Sequence, residues 1–327
     1  MKVLVTGGAG FIGSTVAEEL LSAGHQVVVY DNFVHGHRAA VPQECRLVEG
    51  DVLDRPALDL LLDEGDFDGV IHFAAFIEAG ASMQEPGRFF RNNVTGSLTL
   101  FEALVDHSVL RLVFSSSAGV YASKDSPLNE DDLIGPTSAY GETKAMVEQA
   151  LRWYGRIHGL RYAALRYFNA AGAVPSGERG EDHDPETHLI PNILRVPLGR
   201  RERFTLFGDD YATPDGTCIR DYIHVLDLAS AHLLALEALD ERAEMVYNVG
   251  NGRGYSNSEV LEAAREVTGH PIPSDVAPRR PGDAPALVAE TSRIRRELGW
   301  KPKYPDLSTI VAHAWEWHRT HPDGYGQ

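Results

Sequence analysis

The start of the chain constrains it most. Lys2–Val3–Leu4–Val5 is a short apolar run suited to a buried strand, and it breaks at Thr6–Gly7–Gly8–Ala9–Gly10–Phe11–Ile12–Gly13. Beyond the break Val16, Leu20 and Leu21 recur at helical spacing. Strand, glycine loop and helix in that order can cradle a dinucleotide. Gly7 and Gly8 let the chain turn without a Cβ, Gly10 admits a pyrophosphate close to the backbone, and Gly13 lets the helix lie tightly on the sheet. The helix N-terminus adds unpaired N–H groups and the positive end of its dipole. Glycine spacing alone is weak evidence, so the next segment decides. Ser22–Ala23–Gly24 ends the helix, and Gln26–Val27–Val28–Val29–Tyr30 is a second strand that delivers Asp31, 18 positions after Gly13. A carboxylate there can accept hydrogen bonds from both ribose hydroxyls of an adenosine and repels a 2′-phosphate, which favours NAD over NADP. The plainer reading makes Asp31 a solvated strand-end residue.

At 327 residues the chain can bury roughly 75% of its unfolded surface, enough for a large core or two unequal lobes. Its hydrophobic fraction of 43% and charged fraction of 24% are those of an ordinary soluble globular protein. No apolar run approaches the roughly 20 residues of a membrane span and no signal peptide precedes the first strand, so a cytoplasmic location is expected. Cys45 and Cys218 lack metal-ligand spacing and read as reduced thiols. The 14 histidines show no paired ligand pattern either, so no metal is expected. A net charge of −17 argues against nucleic acid or an anionic membrane as partner. An anionic substrate would need arginines gathered locally at its site.

Strands and helices continue to alternate, as in a Rossmann-type doubly wound parallel sheet. Arg46 to Gly50 reads as a third strand ending at Asp51–Val52, where the carboxylate meets the exocyclic amine of an adenine or caps a helix over Leu53–Leu62. Gly69–Phe73 is a fourth strand, and the small Ala74–Ala75 after it leave room for a cofactor crossing the sheet. Phe89 to His107 is a long helical pattern that carries Asn92–Asn93, either as site residues or as plain polar surface. Leu110–Phe114 is a fifth strand running into Ser115–Ser116–Ser117–Ala118, a hydroxyl cluster where ligands bind in such sheets.

Pro136 is expected to open the helix that holds Tyr140 and Lys144, which i,i+4 spacing puts on one face. A phenol ionises near pH 10, so as a base near neutrality it must be stabilised by about three units, or roughly 4 kcal/mol. A nearby ammonium and a positive nicotinamide ring can supply much of that. A Tyr-x-x-x-Lys is common by chance, but here it comes 23 residues after Ser117 in a chain already marked for NAD. Tyr162–Tyr167 is a sixth strand, and the alternation ends at Phe168–Asn169–Ala170–Ala171–Gly172. Residues 1–170 are thus expected to form an NAD domain, rejoined at about 222–240 by a strand-and-helix piece, with 171–327 as a smaller C-terminal α/β substrate lobe. Of that lobe's arginines, Arg195, Arg200, Arg201 and Arg203 read mostly as a solvated helix end, while Arg220 and Arg280 are better placed to fork onto a diphosphate.

With these motifs in hand the sequence resembles the extended short-chain dehydrogenase/reductases, and within them the UDP-hexose 4-epimerases along nearly its whole length. The carrying motifs are Thr6–Gly13, His72–Ala75, Ser115–Ala118, Tyr140–Lys144, Arg166–Gly172, Gly208–Val225 (GDDYATPDGTCIRDYIHV) and Arg279–Pro285, the last three being the most specific. The resemblance implies that Gly7, Gly10, Phe11, Ile12, Gly13, Asp31, Asn32, Asp51, Val52, Phe73, Ala74, Ala75, Asn92, Ser115 and Phe168 hold NAD. It implies Tyr140 as the base, Lys144 as the residue that binds the nicotinamide ribose and tunes Tyr140, and Ser117 as a hydrogen-bond partner of the sugar O4. It implies that Asn169, His188, Leu189, Thr205, Phe207, Arg220, Arg280 and Asp283 hold a UDP-sugar, and that the protein is a homodimer joined through Phe89–His107 and Ser138–Tyr154. The reaction implied is reversible oxidation at C4 with rotation of the 4-keto sugar, which concentrates binding energy on the nucleotide.

Four positions depart from the family pattern. Ile77 stands where a lysine is common, His188 where Asn is usual, and Ala122 where glycine is usual. Leu287 is intermediate between the bulky tyrosine that excludes N-acetylated sugars and the small residue that admits them. A dehydratase or decarboxylase of the same fold is the nearest rival, but Ser116–Ser117–Ala118 lacks the carboxylates a dehydratase carries there. A silent NAD-binding scaffold is the rival from another class, and the intact Ser117, Tyr140 and Lys144 speak against it.

Overall fold

The protein, seen in a computed structural model that describes residues 1–124, 126–280 and 284–326, is built on a sheet of strands whose centres are apolar, most of them buried along nearly their whole length, with Arg46–Glu49 the half-exposed exception. Such runs suit strands buried on both faces. The first six are β1 (Lys2–Thr6), β2 (Gln26–Asp31), β3 (Arg46–Glu49), β4 (Gly69–His72), β5 (Arg111–Ser117) and β6 (Arg161–Tyr167). Three more, β7 (Asn169–Ala171), β8 (Phe204–Phe207) and β9 (Ile219–His224), leave that sheet. β10 (Glu244–Val249) returns to it, and β11 (Gly254–Ser256), β12 (Ser274–Ala277) and β13 (Ala286–Leu287) do not. The seven-stranded sheet runs β10-β6-β5-β4-β1-β2-β3, with every pair parallel. Strand order reverses between β1 and β4, and a crevice at such a switch point is where doubly wound sheets bind ligands.

One face of the sheet packs against helices Phe11–Ser22 and Val225–Ala238, through Val16, Leu20, Leu228 and Leu236. The other is covered by helices Arg55–Asp63, Gly96–Asp106 and Ala139–His158, through Leu58, Leu100, Leu104, Val147 and Leu151. The second lobe has its own core, in which Ile193, Val260, Ile310 and Val311 join helices Leu189–Leu194, Asn257–Thr268 and Leu307–Thr320. Its strands β7, β9, β11 and β13 form one small sheet, and β8 pairs with β12.

Several local expectations shift. The helix expected from Pro136 begins at Ala139, because the Ser138 hydroxyl accepts the Gly141 amide at 3.1 Å, a cap that proline cannot provide. Asp54, not Asp51, caps the helix after β3, accepting from the Ala57 amide at 3.2 Å. The Phe89–His107 pattern is no single α-helix: Pro86–Phe89 leads into a wider π-helical stretch, Phe90–Thr95, before the α-helix Gly96–Asp106. Helix Val225–Ala238 packs on the first helix as the 222–240 piece suggests, but β9 just before it lies in the small sheet. The strand that rejoins the large sheet is β10, beside β6.

A buried ion pair fastens the helix of Tyr140 and Lys144 to the sheet. Glu148 on that helix and Arg166 on β6, each 3% exposed, meet through two hydrogen bonds of 2.9 and 2.6 Å. Ser116 on β5 donates to the same carboxylate at 2.5 Å. Arg166 reaches on to the Tyr121 hydroxyl at 2.9 Å and the Glu130 carbonyl at 3.1 Å. Removing one partner strands a buried charge, whereas replacing both with apolar groups of similar volume does not. Arg166→Met should therefore lose about 3–5 kcal/mol of stability, and Arg166→Met combined with Glu148→Leu should recover most of it, as read by urea unfolding.

Candidate active site

The glycine loop packs against the start of the segment after β4. Gly7 has φ +72°, and a Cβ there would stand 2.5 Å from the Ala74 amide nitrogen; one on Gly13 would stand 2.3 Å from the Gly7 carbonyl oxygen. Both contacts are with backbone, which cannot give way, so only glycine fits and the loop stays open above. Asp31 braces it from β2: one carboxylate oxygen accepts the Ala9 amide at 2.9 Å and the other the Phe33 amide at 2.8 Å. Burial raises this carboxyl group above its ordinary range, opposed by those amides. Asp31 is thus a buried brace whose remaining lone pairs face a cavity, rather than a solvated strand end.

That cavity opens along the carboxyl ends of β1, β2, β4, β5 and β6. Of the residues singled out in the sequence it is lined by Gly7, Gly10, Phe11, Ile12, Gly13, Asp31, Asn32, Val52, Phe73, Ala74, Ala75, Asn92, Ser115, Ser117, Tyr140, Phe168, Asn169 and His188. Tyr30, His35, Phe76, Tyr167, Glu181 and His183 also line it and carry no signal beyond following strand ends or lying in the 173–188 loop. Asp51 and Lys144 are not among the lining residues. Asp51 instead accepts from the Asn32 side chain and the Leu53 amide, each at 2.9 Å. The wide turn settles the two roles of Asn92–Asn93. Asn93 is buried and clamps the Phe76 backbone through bonds of 2.8 and 3.0 Å while reaching Thr143 at 3.1 Å, whereas Asn92 faces the cavity. π-helical stretches of this kind often mark functional sites.

Of the residues expected to hold substrate, Asn169 and His188 line the cavity, and Leu189, Thr205, Phe207, Arg220 and Arg280 lie away from its lining. Thr205 and Phe207 sit on β8, and the Arg280 guanidinium stacks over the Phe207 ring at 4.2 Å. Arg220 on β9 donates to the Ile219 and Ala284 carbonyls at 2.9 and 2.8 Å. Leu189 starts a helix directly after His188. Asp283 lies outside the described residues. Leu287 on β13 is partly buried against the cluster of Ala118, Val120 and Tyr121, alongside Phe168, and so stands near the hydroxyl-bearing end of β5.

Ser117 ends β5, where its side chain accepts the Gly119 amide at 3.0 Å. Burial raises the Tyr140 phenol above its ordinary value and the neighbouring Ser117 hydroxyl lowers it in part. Lys144, 2% exposed, donates to the Ser115 carbonyl at 2.7 Å with its ammonium 5.9 Å from the Tyr140 ring centre. Burial pushes Lys144 down to about 7. A desolvated ammonium gives up its charge more readily, so burial alone works against a permanent positive charge beside the phenol. His72 beneath them is kept neutral, pushed down to about 3 by burial and by Lys144, between Thr6 Oγ1 at 2.7 Å and Ser97 Oγ at 2.9 Å.

The fold also assembles a group that the histidine spacing conceals. Glu181, His183, Glu186 and His188 point one ligand-type atom each to a common place, all within 4.8 Å of one another. Burial works against these charges, but the two carboxylates outweigh it and lift His183 to about 9 and His188 well above its ordinary value.

Residues 3–250 match the NAD dependent epimerase/dehydratase family, and the chain belongs to it. Within that family it is similar to UDP-glucose 4-epimerases. It is 50% identical to the one from Halalkalibacterium halodurans over 99% of this chain and 98% of that one. It superposes on a crystal structure of a UDP-glucose 4-epimerase with a TM-score of 0.97 at 46% identity, covering all of both chains. It superposes on the Bifidobacterium longum enzyme in complex with NAD+ and UDP with a TM-score of 0.94 at 38% identity, over 99% and 100% of the two chains. The Gly7–Gly13 loop, the Asp31 brace and the cavity above them fit such a dinucleotide.

Lys144 carries a test of the site's electrostatics. With its folded pKa near 7 and its unfolded value near 10.5, the unfolded chain holds the extra proton between those limits, so this group makes stability rise with pH across that window. Lys144→Met should be more stable than the parent at pH 7 in cofactor-stripped protein, and the advantage should shrink toward pH 10, as read by urea unfolding at several pH values.

Proposed function

We propose that the chain interconverts UDP-glucose and UDP-galactose by reversible inversion of sugar C4, with NAD kept in the Gly7–Phe168 cavity and a UDP-sugar bridging to the second lobe. The observation that carries the reading is that Ser117 at the end of β5 and Tyr140 line the same cavity, the hydroxyl near enough to lower the phenol, with Lys144 one turn further along the helix. NAD, when bound, supplies the reversible oxidant that turns the C4 carbinol into a ketone and back. Tyr140 Oη takes the proton of the 4-hydroxyl and returns it, and Ser117 holds the sugar O4 by a hydrogen bond. Lys144, on the same helix face and 5.9 Å from the Tyr140 ring centre, would in its protonated form stabilise the phenolate, and the phenolate in turn favours that charge. Asn92, facing the cavity from the wide turn, offers an amide to the cofactor.

Arg220, and Arg280 stacked on Phe207, are suited to a diphosphate and an adjoining base, which would anchor the nucleotide while the sugar turns. A dehydratase is disfavoured because the carboxylates among the described lining residues, Asp31 and Glu181, are committed to backbone amides and to imidazoles. The two lobes divide as an NAD-binding part and a sugar-binding part. Met146, Trp153 and Ile157 lie four to seven residues apart on helix Ala139–His158 and are 38%, 60% and 67% exposed. This apolar stripe supports a homodimer joined through that helix and its neighbour Gly96–Asp106. The thiols Cys45 and Cys218, both free, accord with a cytoplasmic place for the enzyme.

Tyr140→Phe should retain NAD and UDP binding yet lower kcat by about 10²–10⁴-fold, measured as UDP-galactose to UDP-glucose conversion without added reductant. Deuterium at C4 should stay in the sugar through turnover; loss to the solvent would remove the proposed route. Trp153→Glu should shift the light-scattering mass of the protein from a dimer toward the 35.9 kDa chain.

A further inference from the structure

We propose that Glu181, His183, Glu186 and His188 form a tetrahedral binding site for a divalent transition-metal ion, zinc by the chemistry of its donors, at the wall of the cavity. The four residues are spaced as Glu-x-His-x-x-Glu-x-His in the loop that leads from β7 to helix Leu189–Leu194.

Geometry carries the assignment. His183 Nδ1 stands 3.4 Å from Glu181 Oε1 and 3.7 Å from Glu186 Oε2, and His188 Nδ1 stands 3.3 Å from Glu186 Oε1. With metal–ligand bonds of about 2.0–2.1 Å, the edges of a tetrahedron are about 3.3 Å. The 3.3 and 3.4 Å separations match coordination edges and are long for hydrogen bonds, and the 3.7 Å one is to the other oxygen of Glu186, so that carboxylate would turn slightly to offer a single vertex. The fourth, His188 Nδ1 to Glu181 Oε1 at 2.6 Å, needs less than an ångström of opening. His183 Nδ1 is sealed from solvent and meets the carboxylates only at 3.4 and 3.7 Å, loose pairing for so buried a nitrogen. The side chains of Glu181 and Glu186 are 5% and 3% exposed, and two carboxylates so buried require positive charge between them. His188 is the open side of the group, 44% exposed, and gives an ion a way in.

The surroundings hold the ligands in place, as outer partners of a metal site do. Glu186 Oε1 also accepts the His188 amide at 2.8 Å, Asn192 fixes the Glu186 and His188 carbonyls at 3.1 and 2.9 Å, and the Trp317 indole holds the Glu181 carbonyl at 3.2 Å. Two imidazoles with two carboxylates disfavour magnesium and calcium, which take oxygen donors, and a tetrahedral set disfavours square-planar copper. The ion would staple the 181–188 loop between helix Leu189–Leu194 and helix Leu307–Thr320. It takes no part in the chemistry at sugar C4.

The test is metal retention by the full-length protein, independent of turnover. Chelator-treated protein incubated with zinc and desalted should keep one zinc per chain, and cobalt in its place should show the intense visible bands of a tetrahedral N/O site. His183→Ala and Glu186→Gln should each weaken zinc binding by more than about 100-fold, since even partners outside a ligand set cost 10–100-fold. Failure of the parent to retain zinc, a pale octahedral cobalt spectrum, or undiminished zinc in a folded variant carrying both changes would each overturn the site. Should that variant not fold, the cobalt spectrum of the parent decides alone.

Discussion

The buried Glu148 carboxylate is the point on which the placement of the reactive side chains depends. It takes hydrogen bonds from Ser116 on β5 and Arg166 on β6, and it projects from the helix that bears Tyr140 and Lys144. Helix, fifth strand and sixth strand are thereby fixed to one another by charge-assisted bonds that are directional, which apolar packing is not. The same guanidinium reaches Tyr121, whose hydroxyl donates to Asn248 on β10 at 2.6 Å, and the Asn248 amide donates to Glu130 at 2.9 Å. One network therefore spans β5, β6, β10 and the helix of Tyr140 and Lys144. Networks so buried are stable only when every member is satisfied, so they permit one arrangement and penalise others.

Above this scaffold the protein's own groups hold the phenol high and the lysine low. A site in that condition is a poor base until positive charge arrives beside it. A cationic nicotinamide ring would favour the phenolate, so proton abstraction would be coupled to occupancy by the oxidised cofactor. Such coupling suits an enzyme that should not act on its substrate with the wrong redox form in place.

The large sheet and the glycine loop were legible because their signals are local. Six strands have apolar centres, and Gly7 and Gly13 are demanded by backbone contacts within the same short segment and its neighbour. The wide turn at Phe90–Thr95 was not legible, since one added residue per turn scarcely alters apolar spacing over so short a stretch. β10 was missed for a different reason: its partner β6 lies some 80 positions back, and no pattern within Glu244–Val249 declares that pairing. The Tyr140–Lys144 pair was visible as spacing, but its titration depends on burial, and the hydrogen bond from Lys144 to the Ser115 carbonyl had no signal in the spacing. The Glu181–His188 group escaped because its residues meet only through the path of an irregular loop.

The return of β10 bears on how the two lobes can be separated. Between β6 and β10 the chain leaves the sheet, builds part of the second lobe and comes back, so the first lobe is closed by a strand from beyond the excursion. A fragment ending where the sixth strand ends would leave Tyr162–Tyr167, largely apolar, with the side that pairs with β10 open. Exposed edges of that kind recruit other chains. Gene fusions, truncations and swaps that treat residue 170 as a seam would thus cut through a hydrogen-bonded ladder, and because the second lobe draws on chain both before and after β10, no single cut separates the two.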